Sequence, residues 1–137
     1  MPSPTKVLVY CKDDGELSLM SFVLTHRMLY AVRKAIAPDE LICRLRRNQC
    51  ESGHNEIRCC VFIHQGRSQK LVNESLRLLE RIDLEYPDVA VLVLDMSSSL
   101  SGDVIADQVI KGLAPMCDVL EAIKNMVAHK RRRLIAA

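Results

Sequence analysis

No apolar run in this chain of 137 residues approaches the roughly 20 needed to span a bilayer. The opening Met1-Pro2-Ser3-Pro4-Thr5-Lys6 also lacks the apolar core of a secretion signal. A soluble, cytoplasmic protein is the expectation. The formal net charge of +2 is too small to predict nucleic-acid or anionic-membrane binding, which needs charge gathered on one face. Gly66 and Gly102 are isolated, and neither belongs to a GxxxxGK[ST] loop or a GxGxxG turn. Both familiar phosphate cradles are therefore absent, and nucleotide hydrolysis is disfavoured. There is no internal repeat and no complete catalytic motif.

About half of the residues are apolar, enough at this length for one core and one domain over 1–137. Residues 1–5 read as a flexible start and 130–137 as a basic end or linker. Of six cysteines, Cys11, Cys59 and Cys60 sit inside apolar runs, where a free thiol behaves as a small hydrophobe. Reduced cysteines are expected.

Lys6-Val7-Leu8-Val9-Tyr10-Cys11 reads as a first strand, ended by the polar run Lys12-Asp13-Asp14-Gly15. An amphipathic helix is expected from Glu16 to Ile36, with Met20, Leu24, Met28, Ala31 and Ala35 along one face and Pro38 closing it. Asp14 and Glu16 stand near its positive end. Glu40 to Leu45 reads as a short strand, 46–56 as loop, and Ile57 to Ile63 as a buried strand. The gap between those two strands is too short for a comfortable parallel crossover, so either the earlier one is a hairpin edge or a crossover helix has been trimmed.

Leu71 to Ile82 repeats apolar residues at three- and four-residue steps and predicts a helix, stopped by Tyr86-Pro87-Asp88. Val89 to Leu94 is apolar without alternation, the pattern of a strand covered on both faces in a parallel sheet. Asp95 to Asp103 is a serine- and glycine-bearing loop, Val104 to Ile110 is ambiguous between strand and short helix, and Met116 to Arg133 predicts a final helix.

From Leu78 to Ile123 the succession LLERI, YPDV, VLVL, VIK and VLEAI resembles the second half of a bacterial response-regulator receiver domain. The resemblance implies a three-layer α/β sandwich with a mostly parallel sheet of four to five strands, receiver-like or flavodoxin-like. It also implies roles by position. Asp13 and Asp14 stand where receivers carry an acidic pair that holds a divalent metal, and Mg²⁺ prefers such oxygen ligands. Lys111 matches the receiver lysine, although Gly112 follows it in place of proline. A receiver needs a nucleophilic aspartate at the end of its third strand, and this chain has Ile63-His64-Gln65-Gly66 there. Asp95 replaces the Ser/Thr that ends the fourth strand, and the next helix is shortened to a loop. The opening strand with Tyr10-Cys11-Lys12-Asp13-Asp14 also resembles the start of a Toll/interleukin-receptor-type signalling domain, but no glutamate sits in a motif that carries NAD cleavage.

Cys43, Cys50, His54, Cys59 and His64 have the chemistry for zinc but not the tight paired spacing, so structural zinc is disfavoured. Cys59 or Cys60 with His64 as nucleophile and base is disfavoured too, because adjacent strand residues point to opposite faces and no orienting third group is evident. His129 to Arg133 places cations at a helix C-terminus, where the helix dipole favours them. A contact with phosphate or an acidic partner is the alternative.

The sequence thus points to a non-catalytic signalling or regulatory interaction module, a receiver lacking its phosphoacceptor. Its partner is another protein, a second copy of the chain included, with no membrane contact and with nucleic acid only through the basic end. The interaction surface is expected on Ser99, Asp103, Lys111, Lys124, Arg131 and Arg132. The rival reading is a Mg²⁺-dependent or nucleotide-handling enzyme using Asp13, Asp14, Asp95 and Lys111 at the strand ends, where open α/β sheets bind ligands.

Overall fold

The computed structural model describes residues 4–50, 57–102 and 104–128. In chain order its elements are β1 (Lys6–Tyr10), α1 (Asp14–Arg27), β2 (Ala31–Ala35), α2 (Pro38–Cys50), β3 (Ile57–His64), α3 (Gln69–Glu85), β4 (Ala90–Asp95), β5 (Gln108–Lys111) and α4 (Met116–Ala128). The five strands are all parallel, in the order β2-β1-β3-β4-β5.

Two apolar cores explain why the strands do not alternate. Leu8, Tyr10, Cys60, Phe62, Val91 and Val93 point to one side, where they meet Leu41 and Leu45 of α2 and Leu79 and Ile82 of α3. Val7, Val9, Cys59, Val61, Leu92 and Leu94 point to the other side, against Leu17, Met20 and Leu24 of α1 and Val119 and Ile123 of α4. In the central strands, Val7–Tyr10, Cys59–His64 and Ala90–Asp95 are buried whichever way they face, so an unbroken run of mostly Val, Ile, Leu and Cys is the pattern such a parallel strand requires. The adjacent thiols of Cys59 and Cys60 accordingly enter different cores, and both are fully buried and free.

The first half of the chain departs from the sequence expectation. The helix begun near Glu16 does not run to Ile36. It ends at Arg27 with Met28 as its C-cap, and Leu29 takes a left-handed φ of 58° that turns the chain back. Ala31–Ala35 is then an edge strand paired in parallel with β1. The apolar period continues past residue 28, but about 14 residues of helix already match the length of the strands beneath, so the chain must reverse there to reach register.

Pro38 opens α2 rather than closing α1. Its fixed φ and missing N–H suit the first helical position, Asp39 and Glu40 follow in the first turn, and Glu40 Oε1 accepts from the Ile36 N–H at 2.8 Å. Residues 40–45 are therefore helix and not strand, residues 46–50 are helix and not loop, and 51–56 lie outside the described residues. Neither a hairpin nor a trimmed crossover is needed, because α2 is the crossover from β2 to β3.

The second half agrees with expectation. Ser68 caps α3 by accepting from Leu71 N–H, and Tyr86 ends it. The ambiguous stretch before Lys111 becomes strand only over Gln108–Lys111, where Asp107 pins it: its carboxylate accepts from Val91 N–H at 2.7 Å and its N–H donates to the Val91 carbonyl. None of the described residues of 96–107 is helical. The expected final helix is observed to Ala128, and the flexible start and basic end fall partly or wholly outside the described residues. No helix among the described residues is long and apolar enough to cross a membrane.

Burial pushes the Cys59 thiol up to about 12 and the Cys60 thiol higher still. Both hold their protons more tightly folded than unfolded, where the ordinary value is 9.0. Their contribution is complete below about pH 9 and is lost as pH rises through 12, so chemical-denaturation midpoints should fall across that window, and less so in Cys59→Ala or Cys60→Ala. In native protein at neutral pH, Cys43 and Cys117 should react with a thiol reagent while Cys59 and Cys60 react only on unfolding; mass mapping of the labelled peptides reads this out.

Candidate functional site

After β1 the chain leaves toward one face of the sheet, and after β3 toward the other. The carboxyl ends of these neighbouring strands therefore border a crevice at the point where strand order reverses, the place where open α/β sheets take ligands. A cleft of about 270 Å³ lies there, walled by Tyr10 to Asp13 beyond β1, Ile63 to Gln65 at the end of β3, and Leu71, Glu74 and Ser75 of α3.

On the β1 side, Tyr10 pairs with Phe62, so Cys11 and Lys12 stand beside Ile63 and His64. Lys12 Nζ reaches Glu74 Oε1 across the cleft at 2.7 Å. Both side chains are partly exposed, which makes the pair worth little in stability, but it places an ammonium in the crevice. Asp13 follows as the N-cap of α1, and its Oδ1 accepts from the N–H groups of Gly15 and Glu16. Asp14 is the first residue of the helix and is exposed. Cys11 Sγ accepts from Asp13 N–H at 3.4 Å, and burial raises its thiol above the ordinary value. That is the opposite of what an attacking thiolate requires.

On the β3 side His64 is buried, with both ring nitrogens engaged. Nε2 lies 2.9 Å from the Gly66 carbonyl and 2.9 Å from Ser99 Oγ; Nδ1 lies 2.7 Å from Ser75 Oγ. A carbonyl can only accept, so Nε2 carries the proton, and in the neutral ring Nδ1 then accepts from the Ser75 hydroxyl. Ser99 Oγ donates to the same Gly66 carbonyl at 2.7 Å, and Ser97 Oγ accepts from Gly66 N–H. Gly66 itself is required: its φ is +111°, and a Cβ there would stand 2.6 Å from Leu71 Cδ1.

Asp95 closes the arrangement. Its carboxylate is fully buried, with Oδ1 accepting from Ser99 N–H at 3.2 Å and Oδ2 from Leu100 N–H at 2.9 Å. It is the register partner of His64 on one side and Lys111 on the other, and its carbonyl accepts from Gly112 N–H. The side chain of Lys111 is exposed.

Of the residues singled out by sequence, Ser99, Asp95 and Lys111 thus gather at the ends of β4 and β5, while Asp13 borders the cleft from the β1 side. Lys124 is exposed two turns into α4. Asp103, Arg131, Arg132 and His54 lie outside the described residues, as does the side chain of Cys50. Cys59 and His64 stand at opposite ends of β3, about 17 Å apart along the strand. Among the described residues no three His, Cys, Asp or Glu side chains are grouped to hold a metal ion. A divalent cation in the crevice would face the Lys12 ammonium, with Asp13 Oδ1 already capping α1.

Lys12, Glu74 and Ser75 were not evident from sequence, because two of them sit on a helix whose exposed and inward positions become distinct only after packing. The signal for His64 was present: it is the first polar residue after the apolar run Cys59 to Ile63.

The sequence matches no protein-family model and no curated protein. Solved structures share the fold. A CheY-like response regulator receiver domain protein from Methanospirillum hungatei JF-1 is 18% identical with a TM-score of 0.69, covering 92% of this chain and 95% of that one. A receiver domain protein from Clostridium thermocellum is 20% identical, also with a TM-score of 0.69, covering 96% and 98%. A response regulator from Thermotoga maritima in complex with Mg(2+)-BeF is 13% identical with a TM-score of 0.67, covering 89% and 98%. At such identities the likeness establishes a receiver-like, flavodoxin-like α/β fold.

Two substitutions test the wiring of the site. Ser75→Ala leaves His64 Nδ1 buried without its donor and should cost roughly 1–3 kcal/mol in denaturant unfolding. Asp95→Asn turns one acceptor into a donor that faces a backbone N–H, and should cost roughly 2–3 kcal/mol in the same measurement.

Proposed function

We propose that this chain is a cytoplasmic signalling module of the receiver type that acts through protein contacts and performs no phosphoryl transfer at the end of its third strand. The observation that carries the reading is His64: the residue that ends β3 is an imidazole with both nitrogens committed to Ser75, Gly66 and Ser99. A phosphoryl acceptor there would need an accessible carboxylate. The receiver-like fold of the solved neighbours supports a signalling role.

The alternative, a Mg²⁺-dependent or nucleotide-handling enzyme using Asp13, Asp14, Asp95 and Lys111, is weaker on chemical grounds. Asp95 gives both oxygens to backbone N–H groups, and Asp13 caps a helix. The partner-facing surface in this proposal comprises the loop bearing Ser99, the neighbouring Lys111 and the exposed Lys124, with Asp103, Arg131 and Arg132 assigned to it from sequence alone.

Titration of the purified protein with Mg²⁺ and acetyl phosphate, followed by intact mass and melting temperature, tests the proposal. No adduct and no stabilising shift are expected. A gain of one phosphoryl mass, or a saturable Mg²⁺-dependent rise in melting temperature lost in Asp13→Asn, would sink it.

A further inference from the structure

The cleft at the ends of β1 and β3 carries a polar group that the chain itself does not satisfy. Tyr10 is only 2% exposed, its ring packs 4.8 Å from that of Phe62, and it lines the cleft. Among the described residues its hydroxyl has no hydrogen-bond partner. Burial, and after it the charge of the Glu74 carboxylate, raises the phenol above its ordinary value, so it stands as a protonated donor within the field of that carboxylate without being bonded to it. Buried polar groups are ordinarily hydrogen-bonded, so an unused hydroxyl on the wall of a cavity offers an occupant a bond the folded chain has left unmade.

The other polar atoms of the cleft fall into two groups of opposite character. Lys12 Nζ has three N–H donors and gives one to Glu74 Oε1, which leaves two for an occupant in addition to the Tyr10 O–H. Glu74 keeps Oε2 and Asp13 keeps Oδ2, and a carboxylate can only accept. The ammonium and the carboxylate of the Lys12–Glu74 pair stand 2.7 Å apart, so an occupant that answers both must carry an anionic acceptor and a cationic donor on neighbouring atoms. An α-amino acid does, because its carboxylate and its ammonium share one carbon. It need not break the pair, and as a zwitterion it brings no net charge into the crevice. A lone anion would face Glu74 and Asp13, and a lone cation would face Lys12. Size agrees: the cleft of about 270 Å³ lies below the roughly 300–1,000 Å³ of pockets for drug-sized ligands.

We propose that the crevice binds a free α-amino acid, its carboxylate on Lys12 and Tyr10, its ammonium on Glu74 and Asp13, and an apolar side chain against Leu71. The inference rests on the function proposed above only in that the crevice is not a metal and phosphoryl site. It makes the module a sensor of that ligand: Glu74 adjoins Ser75, whose hydroxyl holds His64, and His64 in turn holds the loop of Ser99.

The probes are L-leucine, L-methionine and L-phenylalanine, with isopentylamine as leucine without its carboxylate and 4-methylpentanoate as leucine without its ammonium. At least one of the amino acids should raise the melting temperature saturably and titrate in calorimetry, while both fragments should bind roughly tenfold or more weakly than leucine. Tyr10→Phe should melt no lower than the unaltered chain, because the hydroxyl has no protein partner to lose, yet bind the amino acid roughly tenfold more weakly. Lys12→Met and Glu74→Gln, at partly exposed positions, should weaken binding to a similar degree. Silence from all three amino acids, a fragment as tight as leucine, or undiminished binding by Tyr10→Phe would each overturn the proposal. So would a lowered melting temperature of unliganded Tyr10→Phe, by showing that solvent already satisfies the hydroxyl. The Mg²⁺ and acetyl phosphate titration tests the earlier reading separately, which keeps the two failures distinguishable.

Discussion

The imidazole of His64 is where three parts of the molecule are tied together. Nδ1 holds the first turns of α3 through Ser75, while Nε2 holds the turn after β3 through Gly66 and the loop after β4 through Ser99. Each of these partners is buried or half-buried, so each bond replaces solvation that folding has removed, and leaving one unmade would cost more than making it gains. Asp95 continues the tie by gripping the N–H groups of Ser99 and Leu100. The loop between β4 and β5 has no helix among its described residues, and these contacts fix it in place of one.

That tie is possible because the sheet delivers the ends of β3 and β4 side by side. Parallel pairing sets His64 against Asp95 and Asp95 against Lys111, and the two cores above and below leave the strands little freedom to slip. A one-residue shift of β3 would exchange Cys59 with Cys60 and Val61 with Phe62 between cores of different volume, an outcome that close packing penalises. The same geometry makes the crevice between β1 and β3 a consequence of topology, open whatever residues line it. In this chain Tyr10, Lys12, Asp13 and Glu74 line it, and Lys12 pairs with Glu74 across it.

Charge placement separates two roles that look alike in a linear sequence. Asp13 and Asp14 are adjacent acids after a strand, yet Asp13 spends an oxygen on the first N–H groups of α1 and Asp14 begins that helix in solvent. A lysine one position earlier stands level with His64 and pairs with Glu74. The chemistry available to the crevice is thus set by a difference of one or two residues in where β1 ends.

What the sequence determined by itself were the elements whose pattern admits a single reading. The unbroken apolar runs of β3 and β4 demand helices on both faces, and the apolar steps and YPD stop of α3 admit no strand. These features sufficed for a receiver-like α/β class and for the absence of an aspartate at the end of β3. Only the tertiary structure decided the segment from Met28 to Cys50. There the apolar period runs on through Ala31 and Ala35, but a left-handed Leu29 and the need of β2 to lie against β1 end the helix, while Pro38 starts a new one. Tertiary packing also decided the partners of His64, because Ser75, Gly66 and Ser99 are separated from it by up to 35 residues and converge only when the sheet has brought the strand ends together. Local pattern carries the information that local sterics and burial impose, and contacts between distant segments carry the rest.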